Sequence, residues 1–558
     1  MRIFKLSRNI RSFIVVGTIL LFSAVFISFD DTDDFELAKN LDIYQTLIRE
    51  LRLYYVDDIQ SDKIIKTSID EMLSSLDPYT VYYPESKIED FKFMTTGQYG
   101  GVGALIRKDN ENVIIDRVYK GYPAQLAGIR SGDILKEVES KPVSGISNDD
   151  ISELLKGIPK TVVNLKIYRP YTKETLDLKV YRERIQIKNV PYYGMLNNKI
   201  GYIKLSGFTQ SAYDEMREAM LFLKKQKAEQ LIFDLRGNPG GLLNQAVNIV
   251  SLFVEKGTYV VSTKGKMKQW NQTLKTRKQP LDTEMQIAVL VNRNSASASE
   301  IVSGALQDLD RAVIIGQRTY GKGLVQTTRD LSYNTKLKIT TAKYYIPSGR
   351  CIQALDYTHR NPDGSVGHIP DSIISKFKTK NGRTVYDGGG IMPDIKVDSK
   401  IATPLLSYLM LNYIIFDYAN IYSFKHDTIV KADKYKFSDK EYNDFIEYVV
   451  KRNIKYQTET DRALQNLINS SKKEKYFASI STDITALQKE LKHNVRNDLI
   501  HFKDDIKELL AQSIVLRYYY EDGLAEYSIN NNKEVAEALK ILESKTAYAS
   551  VLNGTESN

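Results

Sequence analysis

The chain has 558 residues, 42% of them hydrophobic and 26% charged; at roughly 100–200 residues per domain this is material for three or four globular units. A formal net charge of +9 does not point to nucleic acid, because lysine, aspartate and glutamate are interleaved along the chain and no basic block stands apart. The single cysteine, Cys351, excludes an internal disulfide and a cysteine-based structural zinc site, so packing must hold the fold.

In residues 1–34, Arg2, Lys5, Arg8 and Arg11 precede an uncharged run from Ser12 to Phe29, and Asp30, Asp31, Asp33 and Asp34 follow it. Positive charge stays inside, so the remainder is expected to be exported. As a helix the run would span about 27 Å, close to a bilayer core about 30 Å thick. With no clear small-x-small cleavage site and no cysteine for lipidation, an uncleaved membrane anchor is favoured over release by cleavage.

Residues 35–95 read as helical: Ile65, Ile69, Met72 and Leu76 recur at helical spacing until Asp77-Pro78 breaks the pattern. Residues 96–185 change to short strands, such as Val113 to Ile115 and Val163 to Ile167. Two brief helices lie among them, one opening at Pro123 and closing at Gly128, the other following Ser147 as N-cap. From residue 186 to 398 strands alternate with amphipathic helices: Gly201 to Leu205, Tyr213 to Lys224, Gln230 to Leu235, Leu243 to Val254, Gln286 to Val291 and Ser297 to Leu309. That alternation predicts helices packed on a largely parallel sheet. Residues 399–558 are Lys- and Tyr-rich and helical in pattern, with no glycine between Gly390 and Gly523, and read as a separate helical domain.

Two segments at strand exits could hold chemistry: Asn294 to Glu300, containing Ser-Ala-Ser-Ala-Ser, and Tyr320 to Gln326, containing Gly321-Lys322-Gly323. A serine at the first turn of a helix has unpaired backbone N–H groups beside it, which suit an oxyanion. The usual base is histidine, but His359, His368, His426, His493 and His501 all lie beyond the sheet-forming segment. Lys322, between glycines and next to Leu324 and Val325, could serve if desolvation lowers its pKa. Singly, each segment also reads as plain architecture: small residues that let a helix approach a sheet, and a Gly-Lys-Gly turn. Gly316 to Lys322 matches the opening of a phosphate-binding loop, but Gly323 stands where Ser or Thr is needed and a strand follows, so nucleotide hydrolysis is set aside. Asp234 to Gly241 is a strand entering a Pro-Gly-Gly turn whose bared N–H groups could complete an oxyanion hole with that of Ala298.

Ser295 to Glu300, Tyr320 to Gln326, Asp234 to Gly241, Thr341 to Tyr345 with Pro347 to Arg350, and Gly390 to Asp394 together make the sequence resemble the carboxy-terminal processing peptidases of the serine-lysine type. The resemblance runs from about residue 40, including Leu76 to Thr80, to 397. It implies that the middle serine, Ser297, is the nucleophile, that Lys322, 25 residues later, is the base, and that Gln326 orients the lysine. It further implies an oxyanion hole of N–H groups from Ala298 and from Gly240 or Gly241, with no cofactor and no metal. Tyr99 to Gly103 and Pro123 to Asp133 resemble a PDZ domain, implying that Gly100, Gly101, Val102 and Gly103 receive the C-terminal carboxylate of a substrate tail. The architecture implied is α+β and multidomain: an N-terminal helical region, a PDZ-like β-rich domain, an α/β peptidase core and a C-terminal helical domain. The partners implied are protein substrates with exposed C-terminal tails, with room for an adaptor protein and a homo-oligomer. With the N-terminal segment, the expected place of action is the periplasmic side of a bacterial inner membrane. Two departures stand out. Cys351 replaces a usual serine, giving a formal alternative of a cysteine nucleophile with His359 or His368, although a lone cysteine more often only packs. The loop from Asp356 to Gly388 is also longer than in compact relatives. The rival from another class is a non-catalytic scaffold that binds tails.

Overall fold

A computed structural model describes residues 31–398, 403–491, 494–530 and 532–555. The Ser12 to Phe29 segment expected to anchor the chain lies outside them, and among the described residues no helix is long and apolar enough to cross a membrane.

The described residues form two compact units, one up to Tyr82 and one from Tyr83. In the first, helices Asp31–Tyr54 and Ser61–Ser74 are joined by a hydrogen bond between the Tyr44 and Ser68 hydroxyls. The second helix ends before Asp77, whose carboxylate caps the following turn by accepting from the N–H groups of Tyr79 and Thr80.

Within the second unit, five antiparallel strands, Ala104–Asp109, Asn112–Val118, Ile134–Val138, Val162–Arg169 and Glu174–Tyr181, lie side by side in chain order. Val163, Leu165 and Ile167 alternate into the core, as a half-buried strand requires. Helix Asn148–Leu155 closes that core with Ile151 and Leu155; its N-cap Ser147 accepts from the N–H of Asp150 at 3.2 Å.

The peptidase-like region is a six-stranded sheet in which order also follows the chain: Tyr192–Met195, Ile200–Lys204, Gln230–Asp234, Gln286–Val291, Val313–Gly316 and Ile395–Lys396. The first pair is antiparallel and the rest parallel. Parallel strands need cover on both faces. Helices Ala212–Lys225, Leu243–Val250 and Ala298–Asp308 bury one face. Helices Lys533–Glu543 and Lys545–Asn553 bury the other, with Val535, Ala538, Ile541 and Leu542 packed on Ile200, Ile232, Leu290 and Ile315. The C-terminal region is therefore helical but not wholly separate. Its end is a layer of the core, because the second face of this sheet would otherwise stand bare.

Helices Pro404–Leu411, Ile414–Lys425, Asp439–Lys451, Val495–His501 and Lys503–Asn530 share a core around Tyr442, Phe445 and Leu510, and this bundle grips the β-rich domain. The Arg107 guanidinium lies 3.4 Å from the Tyr413 ring centroid, Tyr171 stacks on Phe424, and Tyr520, at a kink in helix Lys503–Asn530, packs against the β-rich core.

Phe233 is completely buried in the parallel sheet, its ring centroid 6.2 Å from that of Phe253. Phe233→Ala is expected to cost about 3–5 kcal/mol of unfolding free energy in a denaturant titration; a loss below about 1 kcal/mol would contradict the packing described.

Candidate active site

The three serines of the Ser-Ala-Ser-Ala-Ser run fall into different environments. Ser295 and Ser299 are fully buried, and their hydroxyls donate to the carbonyls of Leu235 and Asn238, both at 2.9 Å. These two tie the turn to the neighbouring strand exit. Ser297 between them is only partly buried and has φ 56°, ψ −113°, a conformation that costs a non-glycine residue about 1–3 kcal/mol. It is the N-cap of helix Ala298–Asp308, so the first N–H groups of that helix adjoin its hydroxyl.

A turn from the adjacent strand presses against it. At Gly240, φ is +99° and a Cβ would stand 2.8 Å from Ser297 Cβ and 2.9 Å from Ala298 N, so only glycine fits. The Gly240 N–H already donates to Asn238 Oδ1 at 2.9 Å. Gly241, at φ +152°, bridges in parallel to Phe208, whose carbonyl accepts from the N–H of Leu242.

Lys322 sits in the loop after strand Val313–Gly316, and two buried groups fasten that loop to the serine turn. Glu300 is the first. Its Oε2 accepts from the N–H of Ser297 at 2.8 Å and from the N–H of Lys322 at 2.9 Å, while Oε1 accepts from Thr319 Oγ1 at 2.5 Å and Gly321 N at 2.7 Å. The second is Tyr344, whose single hydroxyl proton is shared between the carbonyls of Ser297, at 3.2 Å, and of Lys322. Burial pushes the Glu300 carboxyl up to about 7, while its four donors pull the other way.

Glu300 was readable only as part of a motif. The signal for its role was the Ser-x-x-Glu spacing of a capping box, in which the glutamate returns to the N-cap N–H. What the spacing could not show is that the same carboxylate reaches the lysine loop.

Gln326 lies opposite Thr340 in the pair of antiparallel strands Leu324–Asp330 and Lys336–Tyr345, and its Nε2 donates to Thr340 Oγ1 at 3.2 Å. Burial raises the pKa of the Cys351 thiol, which disfavours the thiolate a nucleophile needs, and His359 is engaged by Asp356 at 2.8 Å. Beneath the site, burial pushes the Asp234 carboxyl up, but Lys204 and Arg236 outweigh this and hold it below its ordinary range. Arg236 also bonds Asn532 and Glu534, linking the strand exit to the C-terminal layer.

Far along the chain, Gly100 and Gly101 pair with Glu183–Gln186, and a Cβ at Gly100 would stand 2.1 Å from the carbonyl of Gly157. Val102 and Gly103 lead into Ala104–Asp109, the edge strand beside which helix Asn148–Leu155 packs. The carbonyl of Val102 accepts from Ala124 N and that of Gly103 from Tyr119 N.

A serine turn, a lysine loop and an α/β core joined to a small β-rich domain define a serine protease with a PDZ domain. Three family profiles match: "Peptidase family S41" over residues 199–366, "PDZ domain" over 114–169 and "Probable PDZ-protease, C-terminal helical domain" over 405–542. A probable CtpA-like serine protease of Staphylococcus aureus is 31% identical over 485 residues, covering 82% of this chain and 91% of its own. A carboxy-terminal-processing protease of Bartonella bacilliformis is 35% identical over 352 residues, covering 62% and 80%. Among solved structures, the photosystem II D1 C-terminal processing protease is 27% identical with a TM-score of 0.35, covering 63% of this chain and 86% of that one. The chain belongs to the carboxy-terminal processing serine proteases.

Glu300→Gln leaves one oxygen to accept where two did and turns an amide NH2 towards N–H donors, at about 1–3 kcal/mol for each group left unpaired. The variant is expected to remain folded by circular dichroism but to lose about tenfold or more in peptide-bond cleavage; unchanged activity would contradict the bridging role. The raised pKa also sets a pH dependence. The unfolded chain ionises first, so the stability supplied by protonated Glu300 is full below about 4.5 and lost as pH rises through about 7. Unfolding free energies measured across that window should fall more steeply for wild type than for Glu300→Gln.

Proposed function

We propose that this serine protease is an endopeptidase that captures exposed C-terminal tails of exported proteins in its PDZ domain and cleaves them through a Ser-Lys dyad. The observation that supports it most is the contrast among the three serines: Ser295 and Ser299 are spent on packing, while Ser297 is partly exposed, strained and fastened through Glu300 and Tyr344 to the loop of Lys322.

In this mechanism neutral Lys322 takes the proton of the Ser297 hydroxyl as its Oγ attacks the scissile carbonyl. The oxyanion is received by the N–H of Ala298 and by that of Gly241, since Gly240 already gives its N–H to Asn238. The protonated lysine passes its proton to the leaving amine and then activates water to release the acyl group, with Gln326 orienting the lysine. The tail enters as an added strand along Ala104–Asp109, its carboxylate meeting the loop at Val102 and Gly103. Residues 1–34 supply the export signal and membrane anchor. Gly100 and Gly101, expected with Val102 and Gly103 to meet the carboxylate, pair with Arg184 and Glu183 and would shape the loop from its strand side.

Wild type is expected to degrade an unfolded protein in the presence of EDTA, while Ser297→Ala and Lys322→Ala are folded and inert. Cleavage by Ser297→Ala would overturn the assignment. The rate should rise with pH as Lys322 loses its proton, with an apparent pKa below the ordinary value of about 10.4; a flat profile across neutral and mildly alkaline pH would contradict a lysine base.

A further inference from the structure

A cavity of about 220 Å³ lies where the PDZ domain meets the C-terminal helices, remote in sequence from the Ser297 and Lys322 segments. Arg117 and Arg130 of the PDZ domain and Arg517 of helix Lys503–Asn530 line it, against a single carboxylate, Asp427. Three cations against one anion give the lining a formal charge of +2, which Glu521, paired with Arg117 from outside the lining, reduces to +1. Among the described residues, these four side chains make one ion pair, Arg117 to Glu521 at 2.9 Å.

Among the described residues no other carboxylate bonds these guanidinium groups, although Asp116 and Asp417 act on Arg517 from longer range. Arg517 donates Nε to Asn420 Oδ1, Nη1 to the carbonyl and hydroxyl of Ser513 and Nη2 to the Phe416 carbonyl, all uncharged acceptors. Desolvation draws its pKa down to about 10, against the upward pull of Asp116 and Asp417. Arg130 lies over the Phe424 ring at 5.4 Å, and Arg117 Nε is buried with no hydrogen-bond partner among the described residues. Buried guanidinium N–H groups without partners are costly, and planar guanidinium forks match the oxygens of phosphate. The volume is below the roughly 300–1,000 Å³ of pockets for drug-sized ligands, but a tetrahedral oxyanion with a few waters fits.

We propose that this cavity is a binding site for a small phosphate-class dianion, held by Arg117, Arg130 and Arg517 across the seam between the PDZ domain and the helical domain. Occupancy would join the two domains through a shared ligand, since two of the arginines belong to one domain and the third to the other.

The test is isothermal titration of inorganic phosphate into the full-length protein at matched ionic strength, with Arg130→Gln and the double variant Arg117→Gln/Arg130→Gln alongside. Arg130 is exposed and has no ion pair among the described residues, so Arg130→Gln should preserve the fold, checked by its thermal melting point without phosphate. The expected result is one saturable site in wild type, weakened about tenfold in Arg130→Gln, as for loss of one charge-assisted hydrogen bond, and abolished in the double variant. Acetate, a monoanion, should bind more weakly than phosphate. No saturable binding in wild type, equal binding in the folded Arg130→Gln variant, or acetate binding as tight as phosphate would each overturn the proposal.

Discussion

The buried carboxylate of Glu300 is the constraint on which the arrangement of the site depends. The serine turn and the lysine loop follow different strands of a parallel sheet, and parallel strand exits do not by themselves bring two side chains into register. Glu300 Oε2 accepts one N–H from each, and Tyr344 donates its hydroxyl towards a carbonyl of each. Main chain is thereby bound to main chain. The relative position of Ser297 and Lys322 is then set by backbone, with the entropy cost met on folding, and general-base chemistry requires that kind of preorganisation.

Positions further out reinforce this arrangement. The strain at Ser297 persists because its neighbours are over-determined: the Ser295 and Ser299 hydroxyls and the N–H of Ala296 all bond to the strand exit at Leu235 and Asn238. That exit is in turn held by the Lys204, Asp234 and Arg236 cluster, and Arg236 reaches the helix after Asn532. A chain of polar contacts thus runs from the serine turn to the helices covering the far face of the sheet. The C-terminal region serves the peptidase core as a structural layer as well as gripping the PDZ domain.

Much of this was legible in the sequence because local pattern and global fold agree. The alternation of strands and helices from Ile200 to Asp308 appears where it was expected, as do the helix capped by Ser147 and the stop at Asp77-Pro78. What was not legible depends on contacts between distant segments. Composition cannot show which of three similar serines is exposed, since the difference lies in the carbonyls that Ser295 and Ser299 meet. The Pro-Gly-Gly turn leaves two glycines equivalent in sequence, whereas in the fold the N–H of Gly240 donates to Asn238. The helices from Lys533 to Asn553 read as part of a separate domain because amphipathic spacing reveals an apolar face and not its partner. Nothing in the spacing of Arg107, Arg117 and Arg517 marks them, and only the docking of the helical domain places them at an interface.

The account rests on Ser297 forming a covalent bond to the substrate carbonyl within a site organised by Glu300. The most direct test is rapid-quench peptide-mapping mass spectrometry of the enzyme during turnover of an unfolded protein. The account predicts an acyl adduct on the peptide containing Ser297, assigned by fragmentation to that residue. An adduct on Ser295, Ser299 or Cys351, or turnover with no adduct at any trapping time, would contradict it.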